Sequence, residues 1–391
     1  MRLWGLKKLL MVEYNFPPKI GVGVIRTVKL AKYLPQHGWR PIILSAKPSW
    51  RDRRIEYIEE EEIRNLKAYR ARELVRLNKM IKRDVHLGWS FPAFVRGLKI
   101  IKGEGIDAIY ATYPYAVNML VGSLLKRITA VPFLANYKDL WTNSFFPSPS
   151  VEFSAQKAME EFVLRSADAV VTVTPSHIED LRKFFPFLQR IYVIRNGYDP
   201  ADFKAVTPVK FSKFTILHAG SVTGTRVARF IKFLLALRDF HDPKDFQLVL
   251  LGNVDSRVRD LIKQMNLGDL VKIVGVRPHK EAIRWIMGAD VLLLVPAAKY
   301  IPTMKLYEYL ASGKFILNIG YEFGEAGKLI SKCKAGVSVI PDQTEIKKII
   351  REVVYGSLIN ERMGSKREEI EKFSWPRLAN RLASVLNYIS N

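Results

Sequence analysis

Residues 301–317 read Ile-Pro-Thr-Met-Lys-Leu-Tyr-Glu-Tyr-Leu-Ala-Ser-Gly-Lys-Phe-Ile-Leu, and a continuous apolar run, residues 291–295, lies just before them. The length of that run and its leucine and valine content predict a buried parallel strand. The stretch itself predicts a loop that enters a short helix, which stops at Gly313. A strand, a loop and a helix in this order are typical of an α/β fold with a parallel sheet.

Lys305 and Glu308 lie three residues apart and therefore share a face near the start of this helix. Free backbone N–H groups and the helix dipole favour a bound anion there. A cation, a carboxylate and unpaired N–H groups suit a sugar nucleotide, with Lys305 on the diphosphate and Glu308 on the ribose hydroxyls. From the spacing alone, a surface ion pair between the two side chains is the commoner arrangement.

The string Pro-x-x-Lys-Leu-Tyr-Glu-Tyr-Leu-Ala-x-Gly-Lys within this stretch resembles the donor-binding segment of retaining glycosyltransferases with the GT-B fold. That family includes bacterial sugar transferases that act on lipid-linked or polysaccharide acceptors. Many members carry a Glu-x7-Glu pattern whose second carboxylate contacts the nucleotide ribose. Glu308 matches that second position, whereas Tyr300 stands at the first. The resemblance also implies donor-binding roles for Thr303, Met304 and Lys305.

Composition sets the broad class of the protein. The chain has 391 residues, of which 48% are hydrophobic, so it can bury the cores of two domains. Its net charge of +24 favours a polyanionic partner, either an anionic membrane face, a nucleic acid or a phosphorylated substrate. A single cysteine, Cys333, excludes an internal disulfide and a cysteine-based metal site. No apolar run reaches the roughly 18 residues of a spanning helix, which predicts a soluble or peripherally attached protein.

The amino-terminal region predicts a βαβ opening. A strand ends at Tyr14, a glycine-rich loop follows at residues 15–23, and a helix with apolar spacing begins at residue 24. A Gly-rich turn before a helix lets the backbone approach an anion, although a plain tight turn is the commoner explanation. The string Tyr-x-Phe-Pro-Pro-x-x-Gly-x-Gly-Val-x-Arg resembles the first loop of the same glycosyltransferases. The resemblance places Gly21, Gly23 and Arg26 at the cleft between two domains, and a helix-surface cation is the alternative for Arg26.

Residues 64–83 predict a strongly basic helical segment, which is followed by Trp89, Phe91 and Phe94. A basic amphipathic stretch beside aromatic residues can lie on an anionic membrane. The alternative is that the cations line a solvated face while the aromatic rings fill the core. In related GT-B enzymes this region often faces the acceptor and the membrane, so we predict an acceptor-side role.

Residues 132–142 predict a strand that runs into a polar, aromatic loop, where doubly wound sheets place ligands. The corresponding family element reads Asp-x-Arg-Asp-Pro-Trp. Here Asn136 and Lys138 replace the first Asp and the Arg, while Asp139 and Trp141 match. An amide cannot act as a base. Asp139 is therefore the acceptor-side candidate, with Asn136 and Lys138 beside it, and a helix N-cap is its alternative role.

A second α/β series begins at residue 214. The string His-Ala-Gly-Ser-Val-Thr-Gly-Thr-Arg at 218–226 resembles the family loop that cradles the donor diphosphate. Gly220 and Ser221 are then expected to approach the phosphates, with Arg226 or Arg229 paired to them. Surface positions for both arginines are the alternative.

Four further positions follow from the comparison with the same family's donor domain. Arg277 lies in the loop that commonly holds the nucleobase edge, where it could stack on a base. His279 is predicted to be a helix cap or a structural residue. Glu322 and Glu325 are candidates for a donor-sugar contact in place of the missing first Glu of the family pattern.

The resemblance follows the chain in order and predicts two Rossmann-like, doubly wound domains that face each other across a cleft. The first covers residues 1–197, and a carboxyl-terminal amphipathic helix at 375–391 crosses back to it. The second, the nucleotide-sugar domain, covers residues 213–372, and residues 198–212 are a predicted linker.

The predicted function is transfer of a hexose from a nucleoside-diphosphate sugar, such as a UDP- or GDP-sugar, to a lipid-linked or polysaccharide acceptor. The family implies retention of anomeric configuration, no metal and no cofactor beyond this co-substrate. Lys305, Arg226 and Asp139 are the catalytic candidates. A nucleotide-sugar epimerase and a non-catalytic GT-B module that binds an anionic polymer are the alternatives. The predicted location is the cytoplasm, with peripheral attachment to the inner membrane face as an option, and nucleic acid is not the expected partner.

Overall fold

The computed structural model describes residues 5–18, 22–48, 60–74, 86–142, 151–238, 240, 246–321, 323–356, 358–362 and 364–391. The chain forms two units. Unit 1 comprises Met1–Arg195 and Trp375–Asn391, and unit 2 comprises Asn196–Ser374. Gly21, Glu322 and residues 75–83 of the basic segment lie outside the described residues. The predicted helix in that segment is wrong for Lys67–Ala71, which form a strand that pairs with the parallel sheet of unit 1.

Unit 1 contains a seven-stranded parallel sheet with strand order β3-β2-β1-β4-β5-β6-β7. Its strands are β1 (Lys7–Val12), β2 (Trp39–Ala46), β3 (Lys67–Ala71), β4 (Ala108–Tyr113), β5 (Phe133–Tyr137), β6 (Ala169–Thr172) and β7 (Ile191–Val193). Its α-helices are α1 (Val22–Tyr33), α2 (Glu60–Arg64), α3 (Leu87–Ile100), α4 (Ala116–Thr129), α5 (Val151–Leu164), α6 (Pro175–Phe184) and, after the return from unit 2, α15 (Trp375–Ser390).

The carboxyl-terminal helix α15 packs on α1 in unit 1. Its buried residues Trp375, Leu378, Leu382 and Leu386 recur at helical spacing, so one apolar stripe faces the unit. The indole Nε1 of Trp39 donates to the Oδ1 of the helix residue Asn387 at 3.1 Å. The end of the chain is therefore part of the core of unit 1.

Unit 2 contains a six-stranded parallel sheet with order β10-β9-β8-β11-β12-β13. Its strands are β8 (Phe214–Ala219), β9 (Phe246–Leu251), β10 (Val271–Ile273), β11 (Val291–Leu294), β12 (Phe315–Ile319) and β13 (Gly336–Val339). Its α-helices are α7 (Val227–Leu237), α8 (Ser256–Gln264), α9 (His279–Gly288), α10 (Met304–Ser312), α11 (Glu325–Cys333), α12 (Gln343–Val354), α13 (Leu358–Arg362) and α14 (Arg367–Glu371).

The unbroken apolar runs of the unit 2 strands reflect burial on both faces of the sheet. Ile216, Leu293 and Leu317 belong to one buried cluster, whereas their neighbours Leu292 and Ile316 belong to the other. Alternate side chains on a strand point to opposite faces. A parallel sheet covered on both sides therefore needs apolar residues at every position, and the predicted α/β class with two doubly wound parallel sheets is confirmed.

The segment predicted as a linker, residues 198–212, is structured within unit 2. It contains a 3₁₀ helix, Pro200–Phe203, in which the side chain of Asp199 accepts a hydrogen bond from the N–H of Ala201. Farther along, Val209 N–H donates to the carbonyl of Arg284 at 3.0 Å. The proline and phenylalanine content that predicted a linker instead serves local turns and packing. No α-helix among the described residues is long and apolar enough to cross a membrane.

Candidate functional site

The order of the unit 2 sheet places a switch point between β8 and β11, where neighbouring connections diverge to opposite sides. Open α/β sheets bind ligands outside the carboxyl ends of the strands at such a point. The residues that follow β8 are Gly220 and Ser221, and those that follow β11 lead into α10. The two motifs that resemble donor-binding segments therefore meet at the carboxyl ends of two neighbouring central strands of this sheet.

Helix α10 presents two different faces. Leu306, Tyr309 and Leu310 are fully buried against the unit. The hydroxyl of Tyr309 accepts a hydrogen bond from Ala219 N–H at 2.7 Å, which fixes the helix to the end of β8. Thr303 is the N-cap, but its side chain does not cap the helix. The first N–H groups of α10 thus receive no hydrogen bond from that side chain, as an anion-binding helix end requires.

Lys305 and Glu308 form the ion pair that their spacing allows, with 2.8 Å between Lys305 Nζ and Glu308 Oε2. The second carboxylate oxygen, Oε1, lies 3.1 Å from Nε2 of His279. Burial alone would raise the pKa of Glu308, but the Lys305 charge and the His279 hydrogen bond outweigh it and hold the pKa at about 2. The carboxyl is therefore ionised at neutral pH. It accepts hydrogen bonds only, which suits ribose hydroxyls.

The loop after β8 is fixed by its backbone. Gly220 has φ +153°, and its N–H donates to Leu251 O at 2.8 Å. Gly252 follows β9, and a Cβ there would collide with the Gly220 carbonyl. The glycine at 252 thus lets two loops approach closely. Gly252 could not be predicted from the sequence, because a lone glycine after a strand carries no distinctive signal.

Arg226 and Arg229 are not free surface cations. The Nε of Arg226 donates to Val295 O at 3.1 Å, and Nη2 of Arg229 donates to Pro296 O. The Arg229 guanidinium also stacks on Tyr321, 4.4 Å from the ring centroid. Both arginines therefore hold the segment that leads from β11 towards α10, and they bring positive charge to the switch point.

His218, the first residue of the predicted phosphate loop, is buried at the end of β8. Its Nδ1 lies 2.9 Å from Leu293 O, and its Nε2 has no hydrogen-bond partner among the described residues. A carbonyl only accepts, so Nδ1 carries the proton. Burial and, to a smaller extent, the nearby charges of Arg226 and Lys305 lower the pKa of His218 to about 4, although the Leu293 hydrogen bond opposes this shift. The site thus contains a neutral imidazole among cations.

The other donor-side candidates take different positions in unit 2. Arg277 follows the edge strand β10 and lies just before α9, where its Nε is 3.3 Å from Oε1 of Glu281 in that helix. Tyr300 is 52% exposed. Glu325 is buried at the start of α11, where Lys328 lies 3.4 Å from it. Met304 begins α10, directly before Lys305.

The switch point of unit 1 lies between β1 and β4. Glu13, directly after β1, is only 3% exposed and accepts a hydrogen bond from Thr27 Oγ1 at 2.8 Å. Lys138, after β5, donates from Nζ to Gly23 O at 2.7 Å and lies 3.9 Å from Glu13. Burial raises the pKa of Glu13 and lowers that of Lys138, while the attraction between them opposes both shifts. Lys138 is therefore a buried partner of the glycine loop.

Two unit 1 predictions need correction. Arg26, predicted to face the cleft, is 1% exposed and donates to Ile194 O at 2.8 Å and Arg195 O at 2.7 Å. Asn136 is fully buried, with Nδ2 3.5 Å from Thr112 Oγ1. A buried guanidinium needs such acceptors, because leaving it unpaired is costly. Both side chains are therefore internal and are not displayed to a ligand.

Asp139 remains a partly exposed carboxyl beside Lys138. Burial raises its pKa, and the Lys138 charge opposes that rise. A carboxyl with a raised pKa is closer to the range useful for proton transfer. A Cβ at position 23 would lie 2.6 Å from Lys138 Nζ, so a side chain there would displace the Lys138 ammonium.

A buried carboxyl, that of Glu160, should make the stability of the protein depend on pH. Glu160 of α5 is 1% exposed and accepts a hydrogen bond from Thr142 N–H at 3.0 Å. Burial raises its pKa to about 7, although the Thr142 hydrogen bonds oppose the rise. The folded pKa lies above the unfolded one, so this group stabilises the fold at low pH. That contribution is lost as the pH rises through about 7.

We therefore expect Glu160→Gln to match the wild type at about pH 4 and to be more stable by about 3 kcal/mol at about pH 8.5. Thermal unfolding at both pH values measures the difference, which corresponds to a melting-temperature gain of roughly 6–12 °C. Glu161→Gln, at a partly exposed neighbour whose carboxylate forms an i, i+4 ion pair with Arg165, is the control and should shift little at either pH. A Glu160→Gln variant that gains nothing at the higher pH would contradict the buried, protonated carboxyl.

Among the described residues, no group of three or more His, Cys, Asp and Glu side chains could hold a metal ion. Four features could not be predicted from the sequence: the contact of His279 with Glu308, and the roles of Tyr309, Gly252 and Glu13. All four depend on contacts between distant segments of the chain. Of these residues, only Tyr309 lies at an apolar helical spacing, and that spacing indicates that its side chain is buried but not which residue it contacts.

The comparisons with known proteins agree with the predicted resemblance. Residues 23–202 match the model of Glycosyltransferase Family 4. Three solved structures share the fold: a sucrose-phosphate synthase from Thermosynechococcus elongatus (19% identity, TM-score 0.70, 98% of each chain covered), a glycosyltransferase from Rickettsia africae ESF-5 (17%, 0.74, 99% of each chain) and Anabaena Alr3699/HepE in complex with UDP and glucose (14%, 0.71, 98% of this chain and 100% of that chain). A search of curated proteins finds no match. The predicted GT-B fold is confirmed.

Proposed function

We infer that this chain, which has the GT-B fold and matches the Glycosyltransferase Family 4 model over residues 23–202, transfers a sugar from a nucleoside-diphosphate sugar to an acceptor. The observation that carries this inference is the arrangement at the unit 2 switch point. There an ammonium, an ionised carboxylate and an uncapped helix start converge beside a glycine loop. These are the groups that a diphosphate and a ribose require.

The proposed division of roles follows the chemistry of each group. Lys305 and the first N–H groups of α10 bind the diphosphate, and Glu308 accepts hydrogen bonds from the ribose. Gly220 and Ser221 lie close to the phosphates, because their loop follows the neighbouring strand β8. As the sugar leaves, charge grows on the diphosphate, and cations fixed in advance stabilise that charge in the transition state. Lys305 and Arg226 are the candidates for this role, and Arg277 is a candidate for stacking on the base.

The acceptor is proposed to bind on unit 1, at the carboxyl ends of β1, β4 and β5. Asp139 is the candidate group for the acceptor hydroxyl. Gly23 and Lys138 lie beside it, and the Lys138 ammonium donates a hydrogen bond to the Gly23 carbonyl. Arg26 and Asn136 support this region from inside the unit.

The finer assignment is also a proposal. We propose a hexosyltransferase that acts on a lipid-linked or polysaccharide acceptor with retention of configuration and needs no metal ion. The net charge of +24 supports a position at an anionic inner membrane face, where such acceptors are held. Activity that survives a chelator, and a product with the donor's anomeric configuration, would support these two features.

The test uses UDP- and GDP-sugars that are labelled in the sugar, with and without a lipid or polysaccharide acceptor extract. We expect the label to move to the acceptor as nucleoside diphosphate is released, and only slow hydrolysis when the acceptor is absent. An epimerised donor sugar formed without any acceptor would instead identify an epimerase. An unchanged donor under every condition would overturn the transferase proposal.

A further inference from the structure

Glu308 is held by a histidine from another helix. Its Oε1 lies 3.1 Å from His279 Nε2, and both side chains are mostly buried, at 14% and 15% exposure. His279 is the first residue of α9, and Glu308 lies in α10. Because an ionised carboxylate only accepts, Nε2 of His279 must donate, which fixes where the ring carries a proton.

A second carboxylate lies behind the histidine. Oδ2 of Asp202, in the 3₁₀ helix Pro200–Phe203, is 3.9 Å from His279 Nδ1. This separation is too long for a hydrogen bond but is within ion-pair range. Asp202, His279, Glu308 and Lys305 therefore form a row that alternates acidic and basic groups across three segments of unit 2.

The row leaves Glu308 able to bind a ligand. Its two oxygens offer about four lone-pair sites, of which His279 and Lys305 each occupy one on a different oxygen. Each oxygen thus keeps capacity for a further donor. A vicinal diol presents two hydroxyl donors side by side, and a carboxylate whose plane is already fixed accepts both without first losing rotamer freedom.

We propose that His279 is a positioning residue that orients the Glu308 carboxylate to receive the 2′- and 3′-hydroxyls of the donor ribose, with Asp202 supporting the ring. This inference rests on the proposed function, because it requires a nucleotide at the unit 2 site. It assigns a role in ligand recognition to a histidine that sequence reasoning predicted to be a cap or a structural residue.

The experiment compares ribonucleotides with ligands that lack the diol. Calorimetry measures the dissociation constants of UDP and GDP and of their 2′,3′-dideoxy counterparts, for the wild type and for His279→Ala and His279→Gln. We expect His279→Ala to weaken the ribonucleotide about 5- to 15-fold, because the ligand itself must then order the Glu308 side chain, and to change the dideoxy ligand less than about twofold. His279→Gln keeps an N–H donor and should recover most of the loss.

Arg284→Ala is the matched control on the same helix. Arg284 Nε donates to Thr207 O, so this variant removes a packing hydrogen bond of α9 without touching Glu308. It should leave both ligands unchanged. Asp202→Asn gives a second measurement should His279→Ala fold poorly, and it should weaken only the ribonucleotide, by a smaller factor.

Three outcomes are decisive. An equal loss for ribonucleotide and dideoxy ligands would mean that His279 only packs α9 against α10, and it would overturn the proposal. Ribonucleotide binding that depends on Glu308 but not on His279 would overturn it while leaving the proposed function intact. A wild type that binds neither UDP nor GDP would instead remove the proposed function, and this inference with it.

Discussion

Glu308→Ala is expected to weaken binding of the nucleoside-diphosphate sugar roughly 10- to 150-fold, since hydrogen bonds to a charged acceptor contribute about 1.5–3 kcal/mol. The carboxylate is ionised at all ordinary pH values, because Lys305 and His279 hold its pKa at about 2 against the effect of burial. Its removal takes away the proposed ribose acceptor and leaves the Lys305 ammonium without its partner at 2.8 Å. Calorimetric titration of the variant and the wild type with the same donor measures the change.

The Glu308→Gln variant removes the charge of the side chain while keeping its size and shape. An amide keeps one acceptor oxygen but loses the ion pair, so we expect an intermediate loss of affinity. Glu345→Ala, at an exposed carboxylate on α12, is the matched control and should bind the donor as the wild type does. Wild-type affinity in Glu308→Ala would refute the ribose role and would leave Lys305 and Glu308 as an ordinary i, i+3 ion pair.

Lys305→Met is expected to lower kcat about 100- to 1000-fold, the size of effect seen when a fixed charge-stabilising donor is removed. The negative charge on the departing diphosphate grows in the transition state. A cation already held by Glu308 at the start of α10 therefore stabilises the transition state more than the bound donor. KM should change much less than kcat, and steady-state kinetics with saturating acceptor separates the two.

Lys305→Arg retains the charge in a different geometry, so it should recover part of the activity. The exposed Lys348 on α12 provides the control variant Lys348→Met, which should keep wild-type kinetics. A Lys305→Met enzyme with unchanged kcat would show that other groups stabilise the leaving diphosphate. Arg226, whose Nε binds Val295 O at the same switch point, would then be the next residue to test.

The sequence predicted the sheets well, because burial on both faces of a parallel strand requires an unbroken apolar run. The 291–295 run and its following helix illustrate this, since their periodicity contains the information that the fold uses. The spacing of Lys305 and Glu308 likewise predicted their contact, because residues three apart on a helix must be neighbours.

Contacts between distant segments could not be predicted in this way. Arg26 lies on a helix whose sequence pattern resembles a surface position, yet its guanidinium is bonded to carbonyls 168 and 169 residues away. Lys138 similarly reaches Gly23, 115 residues earlier. No local pattern indicates such a partner. The helix or loop that carries each charged group could therefore be predicted from the sequence. Whether a cation is buried or faces a ligand could not.

The most direct measurement of the central claim is the melting temperature of the purified protein with UDP, GDP and their sugars. A ligand that binds only the folded state at about 100 times its dissociation constant adds about 2.7 kcal/mol, which corresponds to several degrees. We predict such a rise for at least one nucleoside-diphosphate sugar and its reduction in Glu308→Ala. No rise with any nucleotide, together with steeply salt-dependent binding to a nucleic acid, would contradict a nucleotide-sugar site in unit 2.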